Sequence, residues 1–226
     1  MELVLEEKKW HNDEIYSLKF IRPTDFSFKP GQFMTVFLDV DGKTEKRGYS
    51  FSSSPTEKDF LMFTIKKEKF VSKKLSEFET GDKLEVKGPF GIFFLDESSD
   101  NIVMIAGGTG ITPFRAMSKY IFDKGLQIKA TLFFSARTKN DLIFREEFEY
   151  MSKNKKNFRF FPTTTRDDNF EGHKGKIDEK FLKDGIDNFG SSLFYICGPK
   201  TFVEIIAQIL LKLKVEKSRI KVDKWG

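Results

Sequence analysis

Residues Asn101–Gly125 read NIVMIAGGTGITPFRAMSKYIFDKG, and this stretch decides the fold of the C-terminal half. Ile102, Val103, Met104 and Ile105 are consecutive apolar residues, so the spacing predicts a parallel strand over Asn101–Ala106 that is buried on both faces. Gly107, Gly108 and Gly110 follow at once, letting the backbone take unusual dihedrals and leaving no Cβ between it and a ligand. Thr112 suits an N-cap and Pro113 the first helical position, where a missing N–H costs nothing. A helix is therefore predicted from Pro113 through Phe114, Met117, Tyr120 and Ile121, with Gly125 as its stop.

A strand, a glycine turn and a helix N-terminus converge free N–H groups and the positive end of a helix dipole on one spot. Gly107, Gly108, Thr109, Gly110, Thr112 and Pro113 thus form a candidate phosphate cradle, with a pyrophosphate as the expected ligand. The pattern is G-T-G-I-T-P, so a helix-starting proline replaces the third glycine of the dinucleotide fingerprint.

Outward from this hub, strand and helix alternate. Strands are expected at Ile102–Ala106, Ala130–Ser135, Phe158–Thr163 and Leu193–Cys197, with Asp141 capping a helix through Glu146, Phe148 and Met151 and a further helix over Lys200–Leu213. That rhythm is a doubly wound parallel domain. Upstream, LVLEEKKW, EIYSLKFI, QFMTVFLDV, KRGYSFSS, DFLMFTIKK and DKLEVKG are six short β segments bounded by turn residues such as Asp41-Gly42 and Ser54-Pro55. With one short helix near Ser72–Phe78, they suggest a small antiparallel six-stranded β-barrel. The expected boundary lies in the polar linker Asp96-Glu97-Ser98-Ser99-Asp100, giving domains 1–97 and 98–226.

The 226 residues hold one cysteine and two histidines. Cys197 alone excludes an intrachain disulfide framework and an all-cysteine iron–sulfur cluster, and His11 with His173 makes a zinc site a poor expectation, so no metal is assigned. No apolar run approaches the roughly 18 residues that span a bilayer. Acids at Glu2 and Glu6 do not fit a signal peptide, so the expectation is a cytoplasmic protein with no membrane partner. Residues 1–97 carry 16 basic and 18 acidic side chains and the remainder 23 and 16. The basic second half suits an anionic nucleotide or an acidic protein. The 27 phenylalanines are not interleaved with a basic helix or ribbon, so nucleic acid is not an expected partner. Nothing in the sequence sets an oligomeric state.

Arg47-Gly48-Tyr49-Ser50 is the chemical segment of the first half. On a regular strand Arg47 and Tyr49 project to one face and Ser50 to the other, and a bend near Gly48 would re-aim them. An arginine, an aromatic ring and a hydroxyl suit a phosphate, a flat heterocycle and its ring nitrogen.

Taken in order, Arg47 to Ser50, Gly88-Pro89-Phe90-Gly91, Gly107 to Pro113 and Cys197-Gly198-Pro199 resemble the ferredoxin–NADP reductase superfamily across nearly the whole chain. The resemblance implies an N-terminal FAD-binding barrel, a C-terminal NAD(P)-binding domain, and hydride passing between nicotinamide and flavin at their junction. It implies that Arg47 contacts the FAD pyrophosphate, that Tyr49 lies against the isoalloxazine and that Ser50 bonds near flavin N5. Lys66 to Leu75 is similar to the second flavin-phosphate segment, with Lys66, Phe70, Val71 and Ser72 as candidates, although Glu68 and Lys69 stand where relatives often carry glycine. Ser135 and Arg137 end a strand where adenosine ribose would lie. Thr165 and Arg166 match the place of a serine–arginine pair for a 2′-phosphate, so NADPH is favoured over NADH as cosubstrate. Cys197, with Gly198 and Pro199, resembles the cysteine beside nicotinamide C4, and Asp223 and Trp225 resemble the acid and the terminal aromatic near the flavin. Ser50, Cys197 and Asp223 are therefore the catalytic candidates. The expected acceptor is a small acidic carrier, ferredoxin or flavodoxin. A free-flavin or ferric reductase and an electron-transfer subunit of a larger complex are the alternatives.

Overall fold

The structure is a computed structural model and describes residues 1–225, the side chain of Trp225 excepted. In the first half, alternate residues turn inward. Leu3 and Leu5 of β1 (Glu2–Trp10), Met34 and Val36 of β3 (Phe33–Val40) and Leu84 and Val86 of β6 (Lys83–Phe90) are buried, while their neighbours face outward. With β2 (Ile15–Ile21), β4 (Lys43–Ser50) and β5 (Phe60–Lys66), they form one antiparallel sheet in the order β4-β3-β6-β1-β2-β5. A bridge between Phe51 and Phe63 joins the two edge strands and closes the sheet into the expected barrel. Phe51 stacks on Phe63 at 5.3 Å and meets Phe28 at 4.1 Å, so the closure is also the aromatic centre of the core.

Strand β4 begins at Lys43, three residues earlier than its apolar pattern suggests. Asp41 (φ 54°) and Gly42 (φ 77°) make a two-residue turn with both residues at positive φ, and Val40 pairs directly with Lys43, so turn geometry sets the strand start. Helix α1 (Val71–Ser76) starts one residue before and stops two residues before the expected limits.

The second half is a parallel sheet in the order β10-β9-β8-β7-β11-β12. Its strands are β7 (Asn101–Gly107), β8 (Lys129–Ala136), β9 (Phe158–Thr164), β10 (His173–Lys174), β11 (Leu193–Pro199) and β12 (Ile220–Trp225). Helices α2 (Ile111–Lys124), α3 (Arg145–Asn154), α4 (Glu179–Gly185) and α5 (Lys200–Lys212) connect them. Strand order reverses between β7 and β11, the point at which open α/β sheets bind ligands.

Two capping expectations fail. A tight turn over Gly108–Gly110 runs straight into α2, so Gly110 is the N-cap; Thr112 lies inside the first turn and donates to the Thr109 carbonyl at 2.6 Å. Gly125 closes α2 at φ 63°, as expected. Asp141 caps no long helix. It accepts from the Thr138 amide at 3.0 Å as the reciprocal member of a capping box on a single turn, and α3 starts only after Phe144 at φ 60°.

Candidate functional site

The barrel and the parallel domain meet around a cavity of about 810 Å³. From the barrel it is lined by Phe33, Arg47 to Ser50 of β4, Thr64 to Lys66 of β5, and Glu68, Lys69, Phe70 and Ser72 around α1. From the other domain come Thr109, Thr112 and Pro113 at the start of α2, and Asp223 and Lys224 of β12. Residues far apart in sequence converge because β4 and β5 are the barrel edges that close on each other, and because β7 and β12 flank β11.

All four residues of the Arg47–Ser50 segment line this space, including Ser50, whose side chain the pleat assigns to the opposite face. The chain turns there, since Ser50 is the last residue of β4 and the Phe51 amide already bonds back to the Gln32 carbonyl at 3.0 Å. Burial raises the Tyr49 phenol to about 12, so it is a neutral ring wall. Among the described residues the Arg47 guanidinium donates only to the Lys46 carbonyl, at 3.2 Å, which leaves its charge for an anion. Lys66, by contrast, is paired with Glu14 at 3.0 Å.

Ser72 Oγ accepts from the Glu68 amide at 3.0 Å and donates to the Lys69 carbonyl at 3.2 Å, which fixes the loop before α1. Phe70 (φ 53°) is held exposed at the cavity rim. Val71 departs from its expected place: its side chain is 1% exposed within the barrel core and lines no part of the cavity. An apolar β-branched side chain beside an open loop goes where it can be buried.

The glycines divide by role. A Cβ on Gly110 would stand 2.1 Å from the Cys197 carbonyl, so this glycine lets α2 approach β11. On Gly107 or Gly198 a Cβ would meet the Phe202 ring at 2.9 or 2.8 Å. Of the glycines in the turn only Gly108, at φ 56°, has nothing close to its Cβ position, which leaves that part of the turn open. Pro199 ends β11 immediately before α5.

Cys197 is fully buried and does not line the cavity; Asp223 does. Parallel pairing of β11 with β12 puts the two opposite each other, and the thiol lies 3.8 Å from Asp223 Oδ2. Burial, with the neighbouring carboxylate, pushes the Cys197 thiol well above its ordinary value; burial also raises the Asp223 carboxyl. The thiol is inert as a nucleophile. The Trp225 side chain lies outside the described residues.

At the far end of the sheet Ser135 is buried, while Arg137, Thr165 and Arg166 are exposed. The Arg166 amide donates to the Arg137 carbonyl at 2.8 Å, so the ends of β8 and β9 carry two adjacent arginines, neither of them in an ion pair among the described residues.

A second cavity, of about 1020 Å³, lies at the same junction and contains His11, Ser17, Arg115, Phe144 and Glu147. Arg115 of α2 donates to Glu147 at 2.8 Å, to both Glu57 oxygens at 3.1 Å, and to the Ser52 carbonyl at 2.6 Å. Burial disfavours the Arg115 charge, but Glu147 and Glu57 outweigh it, and the guanidinium holds its proton more tightly than a free arginine. This clamp binds the helix of the glycine turn to the residues just after β4. Its partners lie 58 and 32 positions away in sequence, so no local pattern signals it. Thr64 and Phe33 likewise line the smaller cavity without any motif to mark them.

The donor set fits a flavin dinucleotide: a guanidinium and a Ser50 hydroxyl without side-chain partners among the described residues, a half-buried Tyr49 ring, and Thr109, Thr112 and Pro113 of the glycine turn and helix start line one cavity. Comparison with known proteins agrees. Residues 1–95 match the oxidoreductase FAD-binding domain and residues 104–208 the oxidoreductase NAD-binding domain. The glycine betaine monooxygenase reductase subunit of Chromohalobacter salexigens is 30% identical over 213 residues, covering 91% of this chain and 58% of that protein. The toluate 1,2-dioxygenase electron transfer component of Pseudomonas putida is 28% identical, covering 93% and 62%. This chain thus spans about three fifths of the length of these relatives, which are reductase and electron-transfer components. Among solved structures, the flavohem-like FAD/NAD binding domain of nitric oxide dioxygenase from Vibrio cholerae has a TM-score of 0.88 at 22% identity, covering 100% of this chain and 98% of that one. A ferredoxin NADP+ reductase from Neisseria gonorrhoeae with bound FAD and NADP has a TM-score of 0.83 at 23% identity, covering 99% and 98%. Two domain matches laid end to end show that this chain joins an oxidoreductase FAD-binding domain to an oxidoreductase NAD-binding domain, on a fold shared over its whole length with these structures.

Proposed function

We propose that this chain passes hydride from NADPH, or less readily NADH, to an FAD in the 810 Å³ cavity, and hands electrons to a separate small acidic carrier of the ferredoxin or flavodoxin kind. The observation that carries the reading is the meeting of Arg47–Ser50 with Thr109, Thr112 and Pro113 in one space. We place the domain junction in Asp96–Asp100, between the two matched stretches, and the reaction in the cytoplasm, where a lone free cysteine stays reduced.

Bound FAD supplies a two-electron acceptor that can release its electrons singly. The protein's work is positioning. Arg47 neutralises the pyrophosphate, Tyr49 walls one ring face, and Ser50 donates its hydroxyl toward the reacting edge. Ser72 holds the second phosphate loop in shape. Gly108 and the α2 N-terminus take the nicotinamide dinucleotide's phosphates. Cys197 and Asp223 shape the nicotinamide subsite, the buried thiol by its bulk and the carboxyl at the cavity wall. The preference for NADPH is supported by Arg137 and Arg166, two exposed cations beside the Thr165 hydroxyl that match the charge of a 2′-phosphate. A second reading, in which the acceptor is an oxygenase component, is supported by the names of the reductase relatives.

The test is the visible spectrum of the purified protein before and after anaerobic addition of NADPH or NADH. A flavin band that bleaches faster with NADPH is expected. Bleaching by NADH alone sinks the cosubstrate preference, and a bound flavin that neither donor bleaches sinks the reductase reading. Steady-state reduction of a ferredoxin, a flavodoxin and an oxygenase component then ranks the acceptors.

A further inference from the structure

The barrel wall between the two junction cavities is crossed by a polar thread. His11 Nε2 and Ser17 Oγ are 2.7 Å apart, Ser17 Oγ and Thr64 Oγ1 2.7 Å, and Thr64 Oγ1 and Ser52 Oγ 2.8 Å, while Ser52 Oγ lies 3.0 Å from the Met62 carbonyl. His11 and Ser17 line the larger cavity and Thr64 the flavin cavity. Ser17, Ser52 and Thr64 are 3%, 0% and 5% exposed. Three buried hydroxyls inside an apolar barrel are costly unless each is satisfied, and here each is. Ser17 and Thr64 are directly opposed across β2 and β5, so strand register builds the central contact.

The same atoms accept two hydrogen orders. In one, Thr64 donates to Ser17 and Ser17 to a bare His11 Nε2. In the other, His11 Nε2–H donates to Ser17, Ser17 to Thr64, Thr64 to Ser52 and Ser52 to the Met62 carbonyl. A chain that is satisfied in both directions can move a proton by exchanging one order for the other.

We propose that His11, Ser17 and Thr64 form a proton relay through the barrel wall, joining the flavin cavity to the His11 cleft. The inference rests on the reductase reading. Hydride carries one proton and two electrons into the cavity, and once the acceptor has taken both electrons the proton has to leave. Thr64 Oγ1 takes a proton on the cavity side and gives its own to Ser17 Oγ. Ser17 gives its own to His11 Nε2, and the imidazole releases the Nδ1 proton to the cleft. One proton enters, one leaves, and no electrons move. Hydroxyl rotation and tautomer exchange with cleft water restore the first order. Burial, Lys9 and Arg115, the last itself paired with Glu57 and Glu147, lower the His11 pKa to about 4, and Phe144 packs edge-on at 5.1 Å. An arriving proton is therefore passed on and not stored.

Nitrogen-15 spectra of His11 in the full chain test the thread without any turnover. Both neutral tautomers are expected in the wild type, collapsing to one in Ser17→Ala and in Thr64→Val. Stopped-flow then separates the half-reactions. In Ser17→Ala, reduction by NADPH should be unchanged and flavin reoxidation slowed roughly 100-fold, the low end of what positioned proton transfer contributes, with a larger solvent isotope effect. Ser17→Thr, which keeps the hydroxyl, should restore the rate. A single His11 tautomer indifferent to both variants, or reoxidation of Ser17→Ala at the wild-type rate, overturns the relay. Failure of NADPH to reduce the wild-type flavin would sink the reductase reading, and the imidazole spectra would still decide on the thread.

Discussion

Two cavities meet at the seam between the domains, and they follow opposite rules. In the smaller cavity, among the described residues, the Arg47 guanidinium donates only to a backbone carbonyl and the Ser50 hydroxyl has no hydrogen-bond partner, while Tyr49 and Phe70 supply apolar walls. In the His11 cleft the central charge, Arg115, is 9% exposed and is met by two carboxylates and a carbonyl. Polar groups left without protein partners are groups kept for a ligand, whereas groups satisfied by the protein hold the protein together. The difference is the one the proposed function requires: the smaller cavity keeps groups for a ligand, while Arg115 in the larger one ties the two domains together.

The sharpest way to break that assignment is to remove the clamp. Arg115→Met leaves the half-buried carboxylates of Glu57 and Glu147 without their counter-charge; stripping one partner from a fully buried pair costs about 3–5 kcal/mol, and the partial exposure of these acids puts the loss near the low end of that range. Denaturant unfolding should show a loss of that order, and an unchanged midpoint would mean that the cleft is not structural.

The complementary substitution, Arg47→Ala, should leave stability unaltered because the side chain is exposed and makes no ion pair among the described residues. It should weaken flavin binding by about 1.5–3 kcal/mol, the range for a hydrogen bond to a charged group. Fluorescence titration of flavin into the stripped protein measures this. A loss of folding stability instead would put Arg47 on the wrong side of the comparison.

The last test is in pH. His11 is held at about 4 in the fold against an ordinary 6.5, with burial as the largest cause. The unfolded chain therefore binds the proton first on acidification. Stability should be full above pH 6.5 and should decline as pH falls from 6.5 toward 4. His11→Gln should flatten that part of the stability curve. An unaltered curve would remove His11 from the protein's linkage to pH.

Much of the architecture was legible in the chain. Five of the barrel strands and the four strands Asn101–Gly107, Lys129–Ala136, Phe158–Thr164 and Leu193–Pro199 follow from apolar periodicity, because burial on one or both faces imposes it locally, while β4 is polar and its start is set by the turn before it. Local pattern erred where geometry is cooperative. Thr112 has the composition of an N-cap, yet Gly110 takes that place because the Cys197 carbonyl leaves it no room for a Cβ. Val71 adjoins a binding loop but is drawn into the core, and Ser50 reaches the cavity only because the chain bends to close the barrel.

The two halves, the glycine turn and the chemical character of Arg47–Ser50 are local properties, since each depends on residues within a few positions of one another. What faces what is set by long-range packing. Pairing of β11 with β12 sets Cys197 beside Asp223, the register of β2 and β5 joins Ser17 to Thr64, and Arg115 finds Glu57 across the domain seam. Those contacts depend on strand order and barrel closure, which no single stretch of chain encodes.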